Sequence, residues 1–253
     1  MQEALPLKAL RPLRTRLGWP GAMRLAWALL GTAGPLLRAS AGLGGRTLLQ
    51  PWSRRLLKAL RVQVALESPL PAGAPLWVAN HLSWLDPMVL LSLRSARVLA
   101  KVEVAAYPLV GPASARAGLR FVDRRDPLSR AAALAWLGAA LKRGEPLLLF
   151  PEGTTTRGNS LGRLHDGGLL AAHRLGVPTL PLRLDCEAPH YPWTGDAELL
   201  PHLRTLAAGE PVRVRVRPGP CLHPGDFQDP HEWIIAHRSH LTPLQRHELE
   251  PSI

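Results

Sequence analysis

Two cysteines in 253 residues, Cys186 and Cys221, leave little room for disulfide or thiolate chemistry. They form no Cys-x-x-Cys pair, so no disulfide framework is expected, and two free thiols in a reducing compartment fit instead. The sequence also has no clustered Cys/His set with metal-ligand spacing and no glycine-rich dinucleotide loop. It is therefore expected to work without a metal or a tightly held cofactor. Internal repeats are absent. The 22 glycines and 26 prolines scatter as turn punctuation, below the roughly 25–30% share that marks low complexity. The apolar stretch Leu25–Leu37 is uncharged but only thirteen residues long, short of the about 20 needed to span a bilayer.

Acidic residues are scarce where basic ones are dense. Residues 1–66 carry eleven Lys and Arg against Glu3 alone, so ten of the twelve net positive charges lie there. A basic region on a near-neutral domain implies an anionic surface as partner. Nucleic acid is one such surface, but no helix-turn-helix, zinc finger or RNA-binding signature accompanies the charge. A membrane fits better. Residues 52–61 read as a basic amphipathic helix with Leu49, Trp52, Leu56 and Leu60 on one face and Arg54, Arg55, Lys58 and Arg61 on the other. Each such cation near an anionic leaflet contributes about 1 kcal/mol. Trp19, Trp27 and Trp52 also suit an interface. The alternative is an ordinary surface helix packed on the domain. Ala39-Ser40-Ala41 imitates a signal cleavage site, but Arg38 interrupts the approach and the basic leader is long, so cleavage is not expected.

At 253 residues the chain fits one sizeable α/β domain. Strands are expected at 62–66, 76–79, 98–101, 119–122, 147–150, 179–184 and 212–217, with helices at 87–93, 129–142, 167–175 and 231–241. Asp86 before Pro87 reads as an N-cap. In 212–217 three valines alternate with three arginines, which predicts one buried and one charged face. The alternation implies a mixed, partly parallel sheet flanked by helices. Residues 1–61 form a membrane-interfacial helical segment in this reading, and 62–253 the catalytic domain.

Polar residues follow two of the apolar strands. Asn80-His81-Leu82-Ser83-Trp84-Leu85-Asp86 leaves the strand at 76–79, and Phe150-Pro151-Glu152-Gly153-Thr154 leaves the one at 147–150. Such strand ends are where α/β folds build sites. His81 offers a general base. On one continuous helix Asp86 would sit about 140° away, so the pair meets only if the chain turns between them. A carboxylate on one ring nitrogen would then fix the tautomer. Ser83 matches no hydrolase elbow. The bland alternative is that Asp86 caps a helix and His81 is a loop residue.

The set of segments resembles the 1-acylglycerol-3-phosphate acyltransferase family, whose hallmark is His, four residues, Asp. The likeness covers most of residues 62–184. The first motif is Asn80–Asp86. Lys101-Val102-Glu103 with Pro108 and Gly111 is similar to an intermediate stretch. Gly118–Arg124 is similar to the second motif, Phe150–Thr154 to the third, and Val177-Pro178-Thr179-Leu180-Pro181 to the fourth. The resemblance implies an O-acyltransferase that moves a fatty acyl group from acyl-CoA or acyl carrier protein to a lysophospholipid, giving phosphatidic acid when the acceptor is 1-acylglycerol-3-phosphate. It implies His81 as base, Asp86 as its orienter and Arg124 as the phosphate ligand. Glu152, Gly153, Thr154 and Arg157 would lie along the acceptor. It places the enzyme at the cytoplasmic face of the cell membrane, peripheral or monotopic. Family members commonly have Arg directly after Glu-Gly-Thr; here Thr155 and Thr156 intervene before Arg157. An acceptor with another head group, such as an amino-acid-containing lysolipid like lyso-ornithine lipid, stays open. So does a catalytically silent lipid-binding protein on the same fold.

Overall fold

A computed structural model describes residues 48–106, 118–195 and 197–243, together with Met23, Ser114 and Ala115. The apolar stretch 25–37, most of the expected loop 107–117 and the end of the tail lie outside the described residues.

Seven strands form one sheet: β1 (Val62–Leu66), β2 (Leu76–Ala79), β3 (Arg97–Lys101), β4 (Arg120–Val122), β5 (Leu147–Leu149), β6 (Thr179–Cys186) and β7 (Val212–Pro218). Their spatial order is β1-β7-β6-β2-β5-β3-β4. β6, β2, β5, β3 and β4 run parallel, whereas β7 is antiparallel to β6 and parallel to β1. The central strands are apolar on both faces because both faces are covered: β2 and β5 are buried at every residue.

Helices α1 (Leu49–Ala59), α2 (Asp86–Leu93) and α5 (Leu199–Ala208) cover one face, where Trp77, Ala79 and the valines of β7 join the core. Helices α3 (Pro127–Lys142), α4 (Gly167–Arg174) and α6 (Pro230–Leu241) cover the other, against Leu76, Val78, Leu147 and Leu149. Gly168 lets α4 approach β5 closely, since a Cβ there would stand 2.7 Å from a Leu149 methyl. α3 begins two residues earlier than the pattern predicts, because Asp126 caps it by accepting from Leu128 N–H at 3.1 Å and Ser129 N–H at 2.9 Å, with Pro127 in the first turn. α5 is not anticipated by the sequence reading. In β7 the valines are buried, and Arg217 pairs with Glu67 at 2.9 Å and Asp185 at 3.0 Å on the other face.

Two expectations are corrected. The first concerns α1. Leu49, Leu56, Leu57 and, just beyond, Leu60 are buried in the core, so its apolar stripe is spent inside the domain. Gln50 Nε2 donates to Ser92 O at 3.2 Å and Leu93 O at 2.9 Å, and Arg54 Nε to Ser92 O at 2.8 Å, tying α1 to the end of α2. Arg55, Lys58 and Arg61 remain exposed. The packed-helix alternative holds for this element, which belongs to the domain. The second concerns Asp86. It is the first residue of α2, preceded by Leu85 at the cap position, and its carboxylate faces back along the incoming loop. Among the described residues, no helix is long and apolar enough to cross a membrane.

Candidate active site

The parallel block delivers its carboxyl ends to one edge, and the sequence-flagged residues emerge there. Asn80 fixes the first exit. Its buried amide imitates a peptide, donating to Leu184 O at 2.9 Å and accepting from Leu184 N–H at 2.7 Å, and so continues the β2–β6 ladder. The chain then turns, and His81 meets Asp86, with Nδ1 2.9 Å from Oδ2. The same oxygen accepts the Leu82 N–H at 2.5 Å and the Ser83 N–H at 2.8 Å. The other, Oδ1, accepts the Tyr191 hydroxyl at 2.7 Å. Asp86 is wholly buried, so these four donors supply the compensation that a dry carboxylate needs. With Nδ1–H donating to Asp86, His81 presents Nε2 as an acceptor. The ring keeps 15% of its side-chain surface exposed and stacks on Phe150 at 4.3 Å between centroids.

Glu152 comes from the end of β5 and is 3% exposed. Its Oε1 accepts the His81 main-chain N–H at 2.8 Å, and its Oε2 accepts the Gly162 N–H at 2.9 Å. Burial raises its pKa, and the two backbone N–H groups oppose that rise. Glu152 thus clasps the loop around residue 162 to the histidine segment, and both its oxygens are engaged with main chain. Thr156 N–H donates to His81 O at 2.8 Å and adds a second tie.

Arg124 follows β4. Burial lowers its pKa and the charge of Glu103 opposes that, yet a guanidinium stays charged. Glu103 itself bonds Lys101 at 2.9 Å. Among the described residues no acid lies within ion-pair distance of Arg124. Gly153, at φ +66°, sits against it: a Cβ there would stand 3.9 Å from Arg124 Nη1 and 2.9 Å from His165 Cδ2. The structure therefore brings His81, Asp86, Glu152, Gly153 and Arg124 together. Thr154 and Arg157 are exposed on the loop beyond. An open cavity of about 520 Å³ lies elsewhere, lined by Arg54, Leu57, Lys58, Arg61 and β1.

Several residues of the site are invisible to motif reading. Tyr191 is 105 residues from Asp86. Its segment is bound on both sides: Trp193 N–H donates to Leu82 O at 2.9 Å, and the Thr155 hydroxyl donates to Trp193 O. Trp84 Nε1–H donates to His202 Nδ1 at 2.9 Å, while His202 Nε2–H donates to His190 O at 3.1 Å. That tautomer is assigned from the partners. It is the neutral ring, in line with burial lowering the His202 pKa. Only the indole of Trp84 and an isolated His hint at this in the sequence.

The acyltransferase family model matches residues 61–185. Lyso-ornithine lipid O-acyltransferase of Pseudomonas aeruginosa is 38% identical over 174 residues, covering 66% of this chain and 66% of that protein. The enzyme of the same description from Rhizobium meliloti is 31% identical, covering 62% and 61%. A chloroplastic 1-acyl-sn-glycerol-3-phosphate acyltransferase of Arabidopsis thaliana is 33% identical over 127 residues, covering 50% and 35%. The matched region thus spans about two thirds of the first relative and less of the others. The crystal structure of the 1-acyl-sn-glycerophosphate acyltransferase from Thermotoga maritima superposes with a TM-score of 0.63 at 18% identity, covering 92% of this chain and 98% of that one. At that identity the likeness shows the fold.

Proposed function

Because this chain belongs to the acyltransferase family, we propose that it transfers a fatty acyl group from a thioester donor to the free hydroxyl of a lysolipid, with His81 as general base. The observation that carries this reading is the His81–Asp86 contact of 2.9 Å, set at the carboxyl edge of the parallel strands with Nε2 turned away from the carboxylate. His81 Nε2 takes the proton of the acceptor hydroxyl as its oxygen attacks the thioester carbonyl. The tetrahedral intermediate collapses, the C–S bond breaks, and the imidazolium returns its proton to the departing sulfur. Asp86 holds the ring and stabilises the transient imidazolium, as the carboxylate does in hydrolase triads. The acyl chain would leave the donor as ester and the donor would leave as thiol; acyl-CoA and acyl carrier protein both satisfy this.

Arg124 supplies the anion site. Its guanidinium has no acidic partner among the described residues and stands beside the Glu152–Gly153 turn. We take lyso-ornithine lipid as the first acceptor class, because an ornithine head group carries a carboxylate that a forked cation can hold, and because the relatives that match over 60% or more of both chains are described as lyso-ornithine lipid O-acyltransferases. A phosphate-bearing lysolipid is the second reading, favoured by the same unpaired arginine and by the plant relative. The basic residues of 1–47 and the exposed face of α1 would hold the enzyme on an anionic membrane at the cytoplasmic face. Full-length protein in mixed micelles, given acyl-CoA or acyl carrier protein donors with lyso-ornithine lipid or 1-acylglycerol-3-phosphate, should yield the doubly acylated ornithine lipid. Transfer to the phosphate acceptor alone would select the second reading; transfer to neither would overturn both.

A further inference from the structure

Asp86 is held by donors from its own loop and by one group outside every motif. We propose that Tyr191 is a positioning residue for the acyl-transfer base: by donating its hydroxyl to Asp86 Oδ1 at 2.7 Å, it fixes the carboxylate plane so that Oδ2 stays directed at His81 Nδ1. The inference rests on the reading of His81 as that base.

The terminal torsion of an Asp side chain is broad and two-fold, so one oxygen alone does not set the plane. Here Oδ2 takes three donors, His81, Leu82 and Ser83. Oδ1 takes Tyr191. Both residues are fully buried, so no water replaces the hydroxyl if it is removed. The tyrosine stays a donor: burial, then the charge of Asp86, raises its pKa well above the ordinary value. It also has no freedom to drift. Tyr191 N–H donates to Ala188 O at 3.0 Å, His202 holds the His190 carbonyl, and Trp193 is bonded to Leu82 and Thr155. The segment 188–193 therefore straps the first motif to Thr155, just past the third, and carries Tyr191 into the base of the site. Among the described residues, the other ionisable groups facing the pair are Glu152, through the His81 N–H, and Cys186, a thiol that burial raises to about 11 and so keeps neutral.

Tyr191→Phe removes one oxygen and leaves the ring. With the proposed donor and acceptor, kcat should fall roughly tenfold, the scale of one hydrogen bond to a charged group, with KM unchanged. The acid limb of the rate profile should move to higher pH, because a carboxylate with one fewer donor favours the protonated imidazole. In an Asp86→Asn background the same change should cost less than twofold. Equal losses in both backgrounds, or an unmoved profile, would show that Tyr191 serves the fold alone and would overturn the proposal. Independently of turnover, the His81 Nδ1–H proton resonance, assigned by its loss in His81→Ala, should shift in Tyr191→Phe. If no lysolipid is acylated by the wild type, the proposed function fails while this resonance still decides the role of Tyr191. Fluorotyrosine offers a second route should Tyr191→Phe not fold, because the chain has two tyrosines. The fluorine signal of Tyr191 should move on Asp86→Asn, and a stationary signal contradicts the contact.

Discussion

Glu152 serves His81 through the main chain: Oε1 accepts the His81 N–H at 2.8 Å while Oε2 accepts Gly162 N–H at 2.9 Å. One buried carboxylate thus joins the ends of two neighbouring parallel strands. Its charge is stabilised by two peptides, and the imidazole side chain is left to Asp86 and Phe150. Glu152→Gln turns one acceptor oxygen into an NH₂ that faces a peptide N–H. The protein should lose about 1–3 kcal/mol of stability and several degrees of Tm, at about 2–4 °C per kcal/mol for a chain of this size. Thermal unfolding with parallel kcat measurement checks this; a variant as stable and active as wild type would mean the clasp is not needed.

In the proposed function Arg124, beside the Gly153 turn, holds the acceptor's anion. Arg124→Gln should raise KM for an anionic lysolipid about tenfold or more, the scale of one to two charge-assisted hydrogen bonds, and change kcat less. An acceptor lacking the anion should be treated alike by both proteins. Steady-state kinetics across the two acceptors reads this directly.

Gly153 has φ +66°, and an added Cβ would lie 2.9 Å from the His165 ring. Gly153→Ala therefore meets both backbone strain, about 1–2 kcal/mol for a non-glycine residue there, and a displaced His165. The neighbouring Arg124 would shift with the turn. The variant should be less stable by roughly that amount and bind the acceptor more weakly, measurable by denaturant unfolding and KM.

His237 reports on the opposite face. It accepts from the Thr179 hydroxyl at 2.7 Å and donates to Trp233 O at 2.7 Å, wholly buried. Burial lowers its pKa from 6.5 to about 4. The unfolded chain therefore binds the proton first as pH falls. The neutral ring's contribution is complete above about 6.5 and is lost as pH drops through about 4. The linkage amounts to on the order of 3 kcal/mol. Wild type should lose more stability than His237→Asn between pH 7 and pH 4.5 in urea unfolding; parallel losses would exclude His237 as the source.

The placement of α1 sets where the chain can be shortened. Deleting residues 1–61 removes Leu49, Leu56, Leu57 and Leu60 from the core and should abolish cooperative unfolding, at about 2–5 kcal/mol for each buried leucine lost. Deleting residues 1–47 should leave a folded domain that binds anionic vesicles less than the full chain, having lost seven cations and Glu3. Circular dichroism melts and vesicle pelleting distinguish the two.

The sheet was legible because its strands carry short-range signatures: Leu76–Ala79 and Leu147–Leu149 are unbroken apolar runs, and Val212–Arg217 alternates. Spacing alone left the His81–Asp86 contact conditional on a turn, since five residues do not close on one helix; the resemblance carried by the other segments pointed to it. The amphipathic pattern at 49–60 was seen, but pattern alone does not say what covers an apolar stripe; here α2 does. Asp86 followed by Pro87 imitates a cap, yet the carboxylate is drawn back by Leu82, Ser83 and His81. Tyr191, Trp193 and His202 reach the site across more than a hundred residues, and no local periodicity encodes such pairings. α5 was missed because Pro201 falls within its first turn and Leu200 is exposed, which blurs a helical stripe.

In the proposed reaction, acyl transfer depends on the imidazole of His81. Single-turnover transfer from a radiolabelled acyl thioester to lysolipid should be measured with wild-type protein and His81→Ala, both shown folded by near-UV circular dichroism. Loss of about 10²–10⁴-fold in rate, the range for a general base, with lysolipid binding retained, is the predicted result. A folded His81→Ala protein that transfers the acyl group at the wild-type rate would contradict the account.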